Sequence, residues 1–157
     1  MPTVRGGGFL FVLGILVWFV SSGLEYPYFV AGALLLGIVS FADDVKEQRA
    51  VVRLAVQLVS VLLLLFEVGV EEIAWWLLPV VVVVVVGSLN AFNFMDGING
   101  ITGIHALVGL LSFSYVNSKV VSFTDQQLII NMILAVLVFL MFNFRKRAAC
   151  FAGDVGS

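Results

Sequence analysis

The chain has 157 residues, of which 62% are hydrophobic and 11% charged, with a net charge of −2 and a mean hydropathy of +1.16. A soluble domain is roughly 45–50% apolar with about a quarter of its residues charged, and one aqueous core of this size cannot hide the excess. Soluble enzyme, disordered tail and secreted disulfide scaffold are excluded, and without a basic face a nucleic-acid partner is excluded too.

Apolar runs separated by short polar breaks follow in chain order. The first is Phe9 to Val20, and because Arg5 precedes it a signal peptide is its rival reading. The second, Tyr28 to Ala42, is expected to stop at Asp43-Asp44. The third runs from Val51 to Phe66, and the fourth from Ile73 to Leu89, with the valines Val80 to Val86 and a kink expected at Pro79. A weaker fifth covers Ile101 to Val116, and the sixth goes from Leu128 to Phe144. At about 20 residues per span, six spans use roughly 120 positions. β-branched runs would favour strand in water, but a lone strand in lipid leaves its backbone unpaired, so these are helices. The expected fold is all-α: one integral membrane domain over residues 1–157, a polytopic bundle of about six transmembrane helices.

Basic residues set the orientation. With the N-terminus in the cytoplasm, Arg5, Lys46, Arg49, Arg53, Arg145, Lys146 and Arg147 are all inside, and Lys119 alone is outside. The acids divide evenly. Asp43, Asp44, Glu47, Asp96 and Asp154 are inside, while Glu25, Glu67, Glu71, Glu72 and Asp125 are outside.

Three inner segments carry groups suited to chemistry. FADDVKEQR places the adjacent carboxylates Asp43 and Asp44 at the end of a span, where like charges are costly unless a cation compensates them. A helix-ending loop explains that pair equally well. NAFNFMDGING sets Asn90, Asn93, Asp96 and Asn99 three residues apart, an array suited to a ligand rich in hydrogen-bonding groups. Capping of the next helix accounts for one or two of these residues and not for four. In FAGDVGS, Gly153 and Gly156 flank Asp154 and let backbone approach a phosphate or a metal. Together the segments offer carboxylates to a hard cation such as magnesium, which prefers oxygen ligands and the company of phosphates. Elsewhere structure suffices. His105 is expected to pack between helices, Gln57 and Asn131 to hydrogen-bond across them, Trp75 and Trp76 to form an outer belt, and Cys150 to be a bland boundary residue.

These segments, in this order, resemble the polyprenyl-phosphate N-acetylhexosamine-1-phosphate transferases. PTVRGGG (Pro2 to Gly8) is similar to the family's PTxRGGG loop, and the Asp43-Asp44 pair with RLAVQ (Arg53 to Gln57) follows. NAFNFMDGINGITG is similar to NxxNxxDGxxG, and FAGDVGS to FxGDxGS. The PTVRGGG form is nearer the O-antigen and teichoic-acid branch than the peptidoglycan-precursor branch. The resemblance implies transfer of N-acetylhexosamine-1-phosphate from a UDP-sugar to undecaprenyl phosphate, with UMP released, at the cytoplasmic face of a bacterial inner membrane. It implies a magnesium cofactor held by Asp154 and Asp44, with Asp43, Asp44 and Asp154 as the catalytic acids. It places Asn90, Asn93, Asp96 and Asn99 along the nucleotide-sugar pocket, Phe151 on the uracil, and Lys46 and Arg53 on the lipid phosphate. Two departures stand out: Asn99 replaces an aspartate common in the family, and the family's later histidine-rich loop and its span before PTxRGGG have no counterpart, so the chain reads as a central piece of such an enzyme. A homodimer, an inactive membrane fragment and a small ion-binding transporter subunit stay open as alternatives.

Overall fold

The structure, a computed structural model, describes residues 6–69, 74–95, 98–145 and 148–156. Among these it is all-helical: α1 (Phe9–Ser21), α2 (Pro27–Val45), α3 (Ala50–Val68), α4 (Leu78–Met95), α5 (Ile101–Lys119) and α6 (Gln126–Asn143). Four of them, α2, α3, α4 and α6, are long and apolar enough to cross a membrane. The 19 residues of α2 rise about 28 Å, close to the hydrocarbon thickness of a bilayer. α1 is apolar but has only 13 residues. α5 has 19 but falls below the apolarity of the other four, because Thr102, His105, Ser112, Ser114 and Asn117 interrupt it. The expected helix count therefore holds, while four helices meet the length and composition of a span.

Two expected boundaries are corrected. Asp43 and Asp44 do not stop α2; they form part of its last turn, which runs on to Val45. Pro79 does not kink the fourth helix, because α4 begins at Leu78. A proline in the first turn removes an N–H that has no intrahelical partner anyway. The same shift carries α4 through Asn90 and Asn93 to Met95, so these residues stand on helix rather than loop.

The helices close into a ring. Each packs on its neighbour in sequence, α1 packs on α6, and among the described residues no pair packs across the middle. The most extensive helix contact is between α2 and α3, where the Ser60 hydroxyl donates to the Gly32 carbonyl at 3.0 Å. A Cβ on Gly32 would stand 3.1 Å from the Ser60 carbonyl. Small residues at such contacts are how helices associate where lipid removes the hydrophobic drive. At one end of the ring Glu67 accepts the backbone N–H groups of Tyr28 and Phe29, capping α2 from the last turn of α3. There too the fully buried Trp18 indole donates to Asp125, tying α1 to α6. Asn117 is the third fastener, accepting the Phe123 and Thr124 N–H groups and donating to Gln126. Trp75 and Trp76 are exposed near this end, as a membrane-boundary belt requires.

Candidate active site

The other end of the ring holds the start of α1, the last turn of α2, the first turn of α3, the last turn of α4, the start of α5, the end of α6 and the segment 148–156. Inside the ring lies a cavity of about 200 Å³. Its walls are apolar toward the helix interiors (Phe11, Val12, Ile15, Leu36, Val56, Leu89) and polar at the mouth: Asp43, Arg53, Asn90, Asn93 and Asp154.

The charges at the mouth are tied together. Arg53, one turn into α3, holds Asp43 at 2.9 Å and stands 3.9 Å from Asp154. Asp43 also accepts the Gln48 N–H and meets the Asp154 carboxyl, so the loop between α2 and α3 is folded back onto it. Asn93 donates to Asp154 Oδ1 at 2.9 Å, and Asp44 accepts the Asp154 N–H with both oxygens, at 3.1 and 3.3 Å. Burial pushes the Asp154 carboxyl above the usual carboxylate range. The adjoining Asp43 and the negative charge of Asp44 add to that, against a smaller opposing effect of the Asn93 amide.

The segment carrying Asp154 is pinned group by group. The Phe151 and Ala152 carbonyls accept the N–H groups of Gly7 and Gly8, and the Cys150 carbonyl accepts from Asn143. Gly153 takes a φ of +69°, a conformation glycine adopts without strain, and that turn aims the Asp154 N–H at Asp44. The GGG and GDVGS motifs, about 150 positions apart in sequence, thus meet as paired backbones.

Of the residues singled out from sequence, Asp43, Asp44, Arg53, Asn90, Asn93 and Asp154 come together. Asn90 lines the cavity and donates to Gln57 across the α3–α4 contact. That bond also meets the expectation of an interhelical partner for Gln57. Three residues are not brought to the cavity. Asn99 turns away and donates to the Arg145 carbonyl, because α4 has already ended. Phe151 is exposed, and Lys46 caps the end of α2 with its backbone. Asp96 lies outside the described residues, as do the first half of the PTVRGGG motif and Lys146 and Arg147. His105 stacks edge-on against Phe92, with ring centres 5.1 Å apart, a packing contact between α4 and α5. Asn143 and the Gly8–Gly156 contact were missed. The available signals were a lone asparagine closing an apolar run, and paired glycines in two distant motifs.

Cys150 is half-buried with its sulfur close to Gly7, and burial pushes its thiol pKa up. Its alkylation by a maleimide is expected to be slow at pH 7 and to keep accelerating above pH 9, because the thiolate is the nucleophile. A rate that levels off below pH 8 would contradict the burial.

A ring of apolar helices, four of them long and apolar enough to cross a membrane, with a cluster of charged groups at one end, defines a multi-pass membrane protein. The chain belongs to glycosyl transferase family 4, whose family model matches residues 26–157, and the resemblance drawn from the motifs is borne out. It is 25% identical over 170 residues to a probable undecaprenyl-phosphate N-acetylglucosaminyl 1-phosphate transferase of Bacillus subtilis (strain 168), covering 98% of this chain and 47% of that protein. It is 31% identical over 182 residues to a phospho-N-acetylmuramoyl-pentapeptide-transferase of Thermotoga neapolitana, covering 99% of this chain and 56% of that protein. A 72-residue stretch is 39% identical to the Streptococcus mutans serotype c protein of the same name, covering 46% of this chain and 21% of the relative. The chain thus spans about half the length of the first two of these relatives. No solved structure matches it.

Proposed function

We propose that this chain carries the catalytic face of a transferase that moves a sugar-1-phosphate, N-acetylhexosamine-1-phosphate in the first instance, from a UDP-sugar to undecaprenyl phosphate. The observation that carries the reading is the convergence of Asp43, Arg53, Asn93 and Asp154 at the mouth of a cavity whose inner walls are apolar, with Asp44 holding the Asp154 backbone. A phosphate on a prenyl tail needs that combination: charge at the boundary and hydrocarbon behind it.

In the reaction, a phosphate oxygen of the lipid attacks the sugar-linked phosphorus. The bond from that phosphorus to the bridging oxygen breaks, and UMP leaves with the electron pair. Such a transfer needs alignment and charge neutralisation more than covalent help. Arg53 presents a guanidinium at the mouth and orients the incoming lipid phosphate. Asp43, held on one oxygen by the Gln48 N–H and on the other by Arg53, fixes that guanidinium in turn. Asn93 holds Asp154 in its rotamer and offers its amide to the nucleotide-sugar.

Among the described residues no three His, Cys, Asp or Glu side chains form a ready metal cage. The donor set nonetheless fits magnesium, which is usually held by one or two carboxylates with substrate phosphates completing its shell. Asp154 and Asp44 would hold it, since the Asp154 N–H bond to Asp44 already sets the two residues side by side. When bound, the ion supplies neutralisation of the pyrophosphate. The PTVRGGG form favours the O-antigen or teichoic-acid branch, and the basic residues favour a cytoplasmic active face.

The test uses membranes bearing the full protein, supplied with radiolabelled UDP-N-acetylglucosamine, undecaprenyl phosphate and magnesium. Lipid-linked label with stoichiometric UMP is expected, lost on chelation and restored by magnesium. Label that accumulates without UMP release, or is indifferent to chelation, would count against the assignment.

A further inference from the structure

Asn143 closes α6, is 3% exposed and lies outside every motif read from the sequence. Both ends of its side chain are engaged. Oδ1 accepts the Gly100 N–H at 2.6 Å, and Nδ2 donates to the Cys150 carbonyl at 2.8 Å. Gly100 ends the NAFNFMDGING segment and begins α5 with a φ of +84°, and Cys150 leads into FAGDVGS. One carboxamide therefore joins the backs of two motifs whose fronts meet where Asn93 donates to Asp154.

We infer that Asn143 is a positioning residue: it fixes the 148–156 segment, and with it Asp154, relative to the start of α5. The inference rests on the proposed transfer reaction for its consequence, but its geometry can be read without it. A buried carboxamide facing one donor and one acceptor has no apolar substitute, because either partner left alone is an unsatisfied buried group. Asn143 also differs in kind from Asn117, which fastens the α5–α6 connection at the far end of the same helix pair.

Cys150, the single cysteine, is a built-in reporter on this segment. The full protein in membranes would be alkylated with a maleimide at fixed pH, as wild type, Asn143→Leu, Asn143→Asp and the control Asn117→Leu. Asn143→Leu is expected to raise the Cys150 rate about tenfold, the change in local opening that loss of about one buried hydrogen bond allows. Asn143→Asp keeps the acceptor for Gly100 but sets a second acceptor against the Cys150 carbonyl, and is expected to raise the rate in the same direction. It is the variant to read if the leucine form does not fold. Asn117→Leu is expected to lower thermal stability while leaving the Cys150 rate unchanged.

In the transfer assay the Asn143 variants are expected to lose kcat with a smaller change in KM, since Asp154 is displaced but the cavity remains. A folded Asn143 variant with the wild-type Cys150 rate overturns the inference. So does an Asn117→Leu rate that rises equally, which would make the effect global. Because alkylation needs no turnover, an inactive wild type would strike at the proposed reaction and leave the anchoring test readable.

Discussion

Asp154→Asn is expected to cost sugar-phosphate transfer about a hundred- to a thousand-fold while leaving the helix ring at least as stable as before. The two halves of that expectation have one cause. Asp154 stands against Asp43 and Asp44, is partly buried, and has its proton affinity raised by all three circumstances. The sign follows from linkage: a carboxyl that holds its proton more tightly folded than unfolded opposes the fold once pH exceeds both values. An asparagine of the same shape removes that charge and can still accept from Asn93. What it cannot do is offer a full negative charge to a cation at the pyrophosphate, and removal of one pre-placed electrostatic partner typically costs a factor of this size. Arg53→Gln is expected to reduce both properties, because it strands Asp43, whose side chain is only 6% exposed, without its counter-ion. Since the Arg53 side chain is 37% exposed, the stability loss is put at about 1–2 kcal/mol, below the cost of breaking a fully buried pair. Thermal unfolding in detergent and the radiolabel assay on the two variants check this. A stabilised, inactive Asp154→Asn beside a destabilised, inactive Arg53→Gln is the expected pattern, and an Asp154→Asn that still turns over would remove Asp154 from the chemistry.

The sequence alone made the apolar helices visible because hydropathy and length decide them almost independently of tertiary packing. Five of the six runs fall within a few residues of their helices. The fourth is the exception, and Pro79 explains the displacement: the apolar run starts at Ile73, but the helix can begin only where proline is harmless. Asp43 and Asp44 were expected to end a helix because charges usually do so at a membrane boundary. Here α2 continues beneath them, since Arg53, the Gln48 N–H and the Asp154 N–H satisfy the two carboxylates where they stand. Three-residue spacing suggested that Asn90, Asn93 and Asn99 serve one ligand. It could not reveal that α4 ends at Met95, after which the chain turns and Asn99 faces Arg145 instead. Asn143 was invisible for another reason: one asparagine after an apolar run looks like a boundary residue until its two partners, 43 and 7 positions away, are brought together.

The three consecutive glycines give the sharpest expectation about packing. Alanine at Gly6, Gly7 and Gly8 is expected to harm the protein in increasing order, for three different reasons. Gly6 has a φ of +102° with open space around the place of a Cβ, so alanine there meets only backbone strain of about 1 kcal/mol. At Gly7 a Cβ would come to 2.9 Å from the Phe151 carbonyl and 3.0 Å from both the Cys150 sulfur and the Phe139 ring. The ring and thiol can give way, but the Phe151 carbonyl is backbone and must back off by a few tenths of an ångström, at a cost toward the upper end of overpacking, about 1–3 kcal/mol. At Gly8 a Cβ would run into the backbone of Gly156, with the Ala152 carbonyl 2.8 Å away, and backbone cannot rotate aside. The two segments must separate, which breaks the Gly7–Phe151 and Gly8–Ala152 hydrogen bonds and lets the Asp154 turn drift from Asp44 and Asn93. Gly8→Ala is therefore expected to abolish transfer to the same degree as Asp154→Asn, but with a loss of stability where Asp154→Asn has none. Gly156→Ala should match it, because its own Cβ would stand 2.7 Å from the Gly8 Cα. A Gly8→Ala protein no less active than Gly6→Ala would mean that the two motifs are not packed backbone to backbone, and that something other than this contact holds Asp154 at the mouth of the cavity.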